Sequence, residues 1–598
     1  MNLSTLDWGI IASFFVISLI IGIVVSRQAS KSSAEFFLSG RNMPWWLLGV
    51  SMVATTFSAD TPNLVTDIVR KNGVAGNWVW WAFLLTGMLT VFVYAKLWRR
   101  SEVLTDLEFY ELRYSGKMAA VLRGFRAIYL GVFFNIMIMA TVCLAAIKIG
   151  GIMLGLTPEQ VLLYAGTVTV IYSVLGGLRG VIFTDFFQFG IAMVGSIWAT
   201  YVIVNIPEVG GLTNLIAHEN VAGKINLLPD FSDSSQLIPL LIIPLAVQWW
   251  SVWYPGAEPG GGGYIAQRML AAKDEENAMG ATLFFNIAHY ALRPWPWILI
   301  ALASLVVFPD LASIQTAFPD IPADKVNDDL AYPAMLTYLP SGLLGLVLAS
   351  LIAAFMSTIS THLNWGSSYV THDFYRRFMR PEASEKELVM VGRISTVLMM
   401  IIAAVFALQL SNALQAFNIL LQIGAGTGLL FILRWFWWRI NAYSELTAMV
   451  VSFLIAIYLE IIHVNYLGLD PIADENKLLI GVFLTTFAWV AVTLMTPPSD
   501  HKTLVNFYNK IRPAKMGWLP VLDRAVQNNE ISIAVFHTGQ YPRKILGFLA
   551  GCFSVYSTLF ATGFWIYGNT QPAMICTVVA ILSSFSLFTI WRSLRETD

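Results

Sequence analysis

Stretches of about 20 mostly apolar residues recur from one end of this chain to the other, and that recurrence limits what it can fold into. A helix needs roughly 20 such residues to cross a hydrocarbon core ~30 Å thick. No water is available there, so each backbone N–H and C=O must be satisfied within the spanning element, and only helices and closed barrels qualify. Barrel strands would be short and alternating, which these stretches are not. The chain therefore reads as an all-α polytopic membrane protein whose main partner is the lipid bilayer. Composition agrees: 57% of the 598 residues are hydrophobic and 12% are charged, about half the usual charged share. A net charge of -1 gives no reason to expect a nucleic-acid partner. Cys143, Cys552 and Cys576 lie in apolar segments without ligand spacing, so neither a metal centre nor a disulfide framework is suggested.

Hydropathy gives about 15 candidate transmembrane helices: 6–26, 44–69, 74–98, 121–152, 158–176, 180–205, 238–256, 278–308, 340–375, 388–410, 413–437, 443–463, 478–496, 544–567 and 571–592. The first is too long for a signal peptide core and is expected to stay as an anchor. Positive charge sets orientation. With the N-terminus outside, Arg70, Lys71, Lys148, Lys224, Lys325 and Lys477 face outward, Arg293 lies within a span, and the remaining Lys and Arg are cytoplasmic, as is the C-terminus. Two long outer loops are expected at 206–237 and 309–339, the second lying across the mouth of a pathway. The cytoplasmic stretch 497–543 is the largest soluble segment and is too short for an enzyme domain. No Ser/His/Asp or metal-ligand grouping stands out, so the chain is not read as an enzyme.

Three segments carry chemistry. The second helix, WWLLGVSMVATTFSADTPNLVTDIV over 45–69, turns polar in its middle at Thr55, Thr56, Ser58, Asp60, Thr61 and Asn63. Pro62 has no N–H and crowds the preceding turn, so carbonyls near 57–58 should be freed. Broken helices of this kind place carbonyls at ion sites in transporters; a kink healed by Ser and Thr is the alternative. In YSVLGGLRGVIFTDFFQFG, 172–190, Gly176 and Gly177 should make a tight turn, with Asp185 two turns into the next helix. An ionisable residue at that depth marks function by default; Asp185 should face an inner vestibule or pair with an arginine such as Arg179. In ASLIAAFMSTISTHLN, 349–364, Ala354, Ser357, Thr358 and Thr361 share one helix face, with Ser360 beside it. Hard cations take oxygen ligands, and hydroxyls also serve helix packing; this stretch alone leaves both readings open.

Other features are single residues. HYALRPWPW, 289–297, puts His289 and Arg293 one turn apart inside a span, with Arg293 available for a substrate carboxylate or for Asp60 or Asp67. Gln248 and Gln422 are lone membrane polars, suited to a binding site or to bridging helices. GAEPGGGGYIAQR, 256–268, lacks the context and terminal Lys-Ser/Thr of a phosphate loop and reads as a hinge or turn.

Taken in order, SGRNMPWWLLGVSMVATTFSAD, SVLGGLRGVIFTDFFQ, YIAQR and LIAAFMSTISTHLN followed by HDFY resemble the sodium:solute symporter family, over roughly residues 5–440. The resemblance implies a LeuT-like fold, an inverted five-plus-five helix repeat with extra N- and C-terminal helices. It divides the chain into an extra helix and inner loop (1–43), a first repeat (44–205), an outer loop (206–237) and a second repeat (238–437). Further helices (438–496), the cytoplasmic loop (497–543) and a C-terminal pair (544–598) follow. It implies a sodium-coupled symporter importing a small organic solute (a sugar, an amino acid or an organic anion) by alternating access in the plasma (inner) membrane, and Na⁺ as its coupling ion. By position, the main sodium site would be the carbonyls of Ala54, Phe57 and Ala354 with the hydroxyls of Ser357 and Thr358. A second would use Asp185, Ser357, Ser360 and Thr361. Substrate positions carry over poorly: Thr56, where the family often has Asn, and Gln422 match, while Asp60, Gln248 and Arg293 are added from the residues themselves. WYPGAEPGGGG replaces the family's shorter segment, so the substrate stays open, with Arg293 favouring a carboxylate. The alternatives are a proton-coupled carrier of the same fold and a transporter-like sensor signalling through 497–543. Oligomeric state is not legible.

Overall fold

The computed structural model describes residues 3–29, 31–252, 258–319, 321, 326–410, 421–531 and 540–595. Among them the sole β pairing is an isolated bridge between Met43 and Ala272; the rest is helix and connection. Eleven helices in these residues are long and apolar enough to cross a bilayer, against the fifteen expected. Part of the difference is structural. The expected spans 44–69 and 238–256 are interrupted, leaving the shorter apolar helices Trp45–Thr56 and Ser234–Trp250. The start of the expected span 413–437 falls outside the described residues.

The elements that matter for function are α1 (Thr5–Ala29), α2 (Trp45–Thr56), α3 (Thr61–Asn72), α4 (Asn135–Leu154), α5 (Pro158–Val204), α6 (Gly263–Ala271), α7 (Glu275–Ile287), α8 (Pro294–Val307), α9 (Leu343–Ser368) and α10 (Glu385–Gln409). Outside them lie α11 (Ala442–Ile457), α12 (Asp474–Met495), α13 (Tyr541–Ile566) and α14 (Thr570–Arg595). The helix that continues α9 to Met379 is 89% buried over its most apolar stretch, whereas α14 is 11% buried. A helix apolar all round belongs in lipid or in a core; α9 is the core, and α14 is the lipid-facing rim.

Apolar side chains gain little by leaving lipid for protein, so these helices associate through close packing and polar contacts. Asp7 on α1 shows the polar kind. Its Oδ1 accepts from the N–H groups of Gly342, 2.7 Å, and Gly345, 2.8 Å, placing a carboxylate on the positive end of α9. Gly177 shows what the close packing demands. It interrupts α5 with φ +53°, ψ -157°, and a Cβ there would lie 2.6 Å from the Phe36 carbonyl oxygen. Its backbone conformation is one that essentially only glycine adopts. The tight turn expected at Gly176–Gly177 is therefore present, and it divides α5 at the place where the sequence separates 158–176 from 180–205.

Candidate functional site

The break between α2 and α3 covers residues 57–60. It follows from local chemistry. The hydroxyls of Thr55 and Thr56 donate back to the carbonyls of Ser51, 2.9 Å, and Val53, 3.0 Å, competing with the helical ladder. Phe57 leaves the helix at φ -88°, ψ 76°, its N–H reaching the carbonyls of Val53 and Ala54. Pro62 then starts α3, where its missing N–H costs nothing. A second interruption precedes α6. Gly260 and Gly261 hold φ +85° and +88°, and a Cβ on Gly260 would sit 3.1 Å from the Tyr94 ring. Residues 253–257 of WYPGAEPGGGG lie outside the described residues.

The hydroxyl face of α9 meets α2 at this break. Thr358 Oγ1 donates to the Thr55 carbonyl at 2.9 Å, and the hydroxyl oxygens of Thr55 and Thr361 are 3.0 Å apart. Ser357 Oγ donates to Asp185 Oδ1 at 2.6 Å. Ser51 on α2 donates to Asp185 Oδ2 at 2.5 Å. Ala54 at the end of α2, Phe57 just after it and Ala354 on α9 are buried. The arrangement concentrates uncharged oxygen between the end of α2 and the middle of α9, a donor set suited to a hard monovalent cation. Ser360 departs from it, since its hydroxyl donates along α9 to the Ser357 carbonyl, 3.0 Å.

Asp185 corrects the sequence reading. It faces no vestibule; it is fully buried, and its arginine is Arg268 of α6, Nη2 to Oδ2 3.8 Å, rather than Arg179, which lies over the Phe183 ring. The Arg268 guanidinium also donates to Thr361 Oγ1, 2.7 Å, Ser51 Oγ, 3.2 Å, and Gln267 Oε1, 3.2 Å. It thus ties α6 to α2, α5 and α9 at the edge of the hydroxyl cluster. YIAQR contributes to the resemblance, yet nothing local in it indicates that its last residue would reach Asp185, 83 positions earlier.

Beside the cluster is a cavity of ≈ 160 Å³ lined in part by Thr55, Thr56, Asp60, Thr358, His289 and Arg293, with the rings of Trp80, Tyr264 and Tyr290. A water's share of liquid volume is about 30 Å³, so this holds about five waters or one compact solute. Arg293 is 2% exposed. Its Nη1 donates to Thr56 Oγ1, 3.2 Å, and to the Val53 carbonyl, 3.4 Å, and its Nη2 lies 3.3 Å from His289 Nε2. Thr56 Oγ1 is 3.1 Å from His289 Nδ1. Of the two carboxylate partners the sequence allowed Arg293, Asp67 pairs with Lys71 at 2.8 Å, and no ion pair joins Arg293 to Asp60 among the described residues. Arg293 Nε and Asp60 Oδ1 have no hydrogen-bond partner, and both residues line this one cavity with Ser58.

Thr56, Asp60 and Arg293 are thus brought together, and the two glutamines are not. Gln248 Nε2 donates to the Val79 carbonyl, 2.7 Å, and Gln422 Nε2 to the Lys477 carbonyl, 2.8 Å. Neither lines the cavity, though Gln248 holds the residue next to Trp80. His289, Tyr264 and Trp80 line it without having been singled out as substrate contacts. His289 had a signal, its place one turn from Arg293; the aromatic residues had none among so many interfacial Trp and Tyr.

The connection before α9 carries acidic groups clamped by basic ones. Arg70 of α3 binds Asp328 at 2.7 Å and Lys148 binds Asp329 at 3.0 Å. Between spans on another face, Asp106 Oδ2 accepts from the Gly263 N–H at 2.9 Å, capping α6, while Tyr369 donates to Oδ1. Burial, with Glu258 nearby, raises the Asp106 carboxyl to about 6.

The sequence model of the sodium:solute symporter family matches residues 36–452. The sodium/glucose cotransporter of Vibrio parahaemolyticus is 26% identical over 84% of this chain and 93% of its own length. Sodium/myo-inositol cotransporter 2 of Oryctolagus cuniculus is 26% identical over 83% of this chain and 77% of its own. Among solved structures, the substrate-bound outward-open state of a Na⁺-coupled sialic acid symporter superposes with a TM-score of 0.64, covering 83% of this chain and all of that one at 20% identity.

Proposed function

Because the chain belongs to the sodium:solute symporter family, we propose that it couples Na⁺ entry to the import of a compact solute bearing a carboxylate, by alternating access. Na⁺ is held as a co-transported substrate by the carbonyls of Ala54, Phe57 and Ala354 and the hydroxyls of Ser357 and Thr358. The two repeats, 44–205 and 238–437, move relative to one another with the N-terminus outside and the C-terminus cytoplasmic.

The observation that carries the solute assignment is Arg293. A buried guanidinium without a carboxylate partner is costly, and this one opens onto a cavity with its Nε unpaired. A carboxylate there gains charge-assisted hydrogen bonds from the guanidinium. Thr55 and Thr358 border both the cavity and the hydroxyl cluster, so ion and solute sites share elements. Na⁺ between α2 and α9 favours the arrangement that forms the cavity, and an ion with differential affinity for one state shifts the equilibrium toward it. Each Na⁺ carried inward contributes about 2.3 kcal/mol per 100 mV, beyond its concentration gradient. A second Na⁺ at Asp185, Ser357, Ser360 and Thr361 requires the Arg268 guanidinium to withdraw first, so this proposal rests on one ion.

A second reading, a neutral polyol, draws on the aromatic faces of Trp80, Tyr264 and Tyr290 and on the relatives named for glucose and myo-inositol. Uptake by proteoliposomes separates the readings. Labelled carboxylates should enter only with an inward Na⁺ gradient, and Thr358→Ala or Ser357→Ala should abolish entry. Entry driven by a pH gradient and indifferent to Na⁺ would replace the ion with a proton. Entry of glucose or myo-inositol in place of carboxylates would establish the polyol reading. No flux, with a partner captured by 497–543, would make the chain a sensor.

A further inference from the structure

The cavity presents opposite charges that do not neutralise each other. Arg293 stands at one side, held by Thr56 and His289. Asp60 stands at the start of α3, its Oδ1 without a hydrogen-bond partner. No ion pair joins Asp60 to Arg293 among the described residues, and both line the same ≈ 160 Å³. Opposite charges that line one cavity without binding each other suit a ligand that binds both.

The charges specify that partner. A monocarboxylate would satisfy Arg293 and leave Asp60 facing a second negative group in a small space. A neutral polyol would leave both charges uncompensated. A solute that carries both a carboxylate and an ammonium answers both. We infer that the transported solute is a compact zwitterion of the α-amino acid class, its carboxylate on Arg293 and its ammonium on Asp60. The inference rests on the carboxylate reading above and extends it to the amine. Trp80 and Tyr290 line the same space, and aromatic residues favour a cation as well as an apolar side chain.

The test is Na⁺-driven uptake into proteoliposomes of the twenty common α-amino acids, labelled. The best one is then competed with its N-acetyl derivative, which keeps the carboxylate and loses the ammonium, and with its amide, which does the reverse. At least one amino acid should enter, and both derivatives should compete at least 100-fold less well. Asp60→Asn should raise KM for the amino acid at least tenfold while keeping the Na⁺-dependent rise in melting temperature, which shows that the variant folds and binds the ion. Equal competition by the N-acetyl derivative would overturn the ammonium assignment and leave the carboxylate reading standing. Equal competition by the amide would overturn the carboxylate reading itself. Failure of all twenty to enter, or an Asp60→Asn carrier with unchanged KM, would overturn the inference.

Discussion

The Asp185–Arg268 pair allows a stability prediction that does not depend on the solute. Nη2 lies 3.8 Å from Oδ2, and both side chains are 0% exposed. At an effective dielectric of about 20, two unit charges at that distance attract by about 4 kcal/mol. Arg268→Gln removes this attraction and leaves Asp185 with the hydroxyls of Ser51 and Ser357 alone. Breaking a buried pair by deleting one partner typically costs about 3–5 kcal/mol, since the other charge stays buried. Arg268→Gln and Asp185→Asn should each lower stability by an amount in that range. The double variant should be far more stable than their sum, because two neutral groups of similar size can still bond to Thr361, Ser51 and Ser357. A coupling energy of about 3 kcal/mol is expected, at the upper end of the range for residues in one network. The assay is reversible denaturation of the purified protein in detergent, wild type and three variants, in choline chloride so that Na⁺ linkage does not enter. Additive losses within about 0.5 kcal/mol would show that the two charges do not sense one another and would refute the placement of Arg268.

Three further outcomes are expected. Gly177→Ala should destabilise by more than the ~1–3 kcal/mol of backbone strain at that conformation, because its Cβ would stand 2.6 Å from the Phe36 carbonyl; thermal unfolding with wild-type-like stability would contradict the turn. Asp106, raised to about 6 from 3.8, binds its proton more tightly folded than unfolded, so its contribution is fully present below about pH 4 and is lost as pH rises through 6. The melting temperature should fall across that window, and Asp106→Asn, which keeps an acceptor for Gly263, should flatten the profile; an unchanged profile would remove Asp106 as the cause. Gln248→Met should cost about 1 kcal/mol through its lost bond to Val79 and leave the substrate KM unaltered, and a changed selectivity would return Gln248 to the solute site.

What the sequence makes legible here is whatever is encoded within one helix. Pro62 and the hydroxyls of Thr55 and Thr56 act over a single turn, so the break at 57–60 follows from them. Ser357, Thr358 and Thr361 share a face through the helical period, so their common orientation follows too. Gly177 announces a turn because few other residues tolerate φ near +53° with that ψ. Partners across helices are not encoded in this way. Asp185 at the start of a span reads the same whether it faces water, Arg179 or Arg268, and the geometry of three other helices decides among them. Gln248 and Gln422 show the converse: a lone amide in a span is an equal candidate for ligand or for bridge until its neighbour's carbonyl is known.

The same distinction governs the solute cavity. Arg293 invites a carboxylate from sequence alone, yet the residues first offered as its internal partners included Asp67, which Lys71 takes up one turn away. Only the three-dimensional arrangement leaves Asp60 and Arg293 on one cavity without neutralising each other. A pair of that kind gains nothing for the empty protein. Two opposite charges on one cavity would bind each other if stability alone were at stake, and holding them apart has a cost that is recovered when a ligand of matching dipole sits between them. That cost is measurable without transport. Asp60→Asn combined with Arg293→Gln should raise the melting temperature of the solute-free protein in Na⁺ while abolishing any further rise on adding the transported amino acid. A double variant less stable than wild type would mean that the two charges serve the fold, and the separation of Asp60 from Arg293 would then need a structural explanation in place of a functional one.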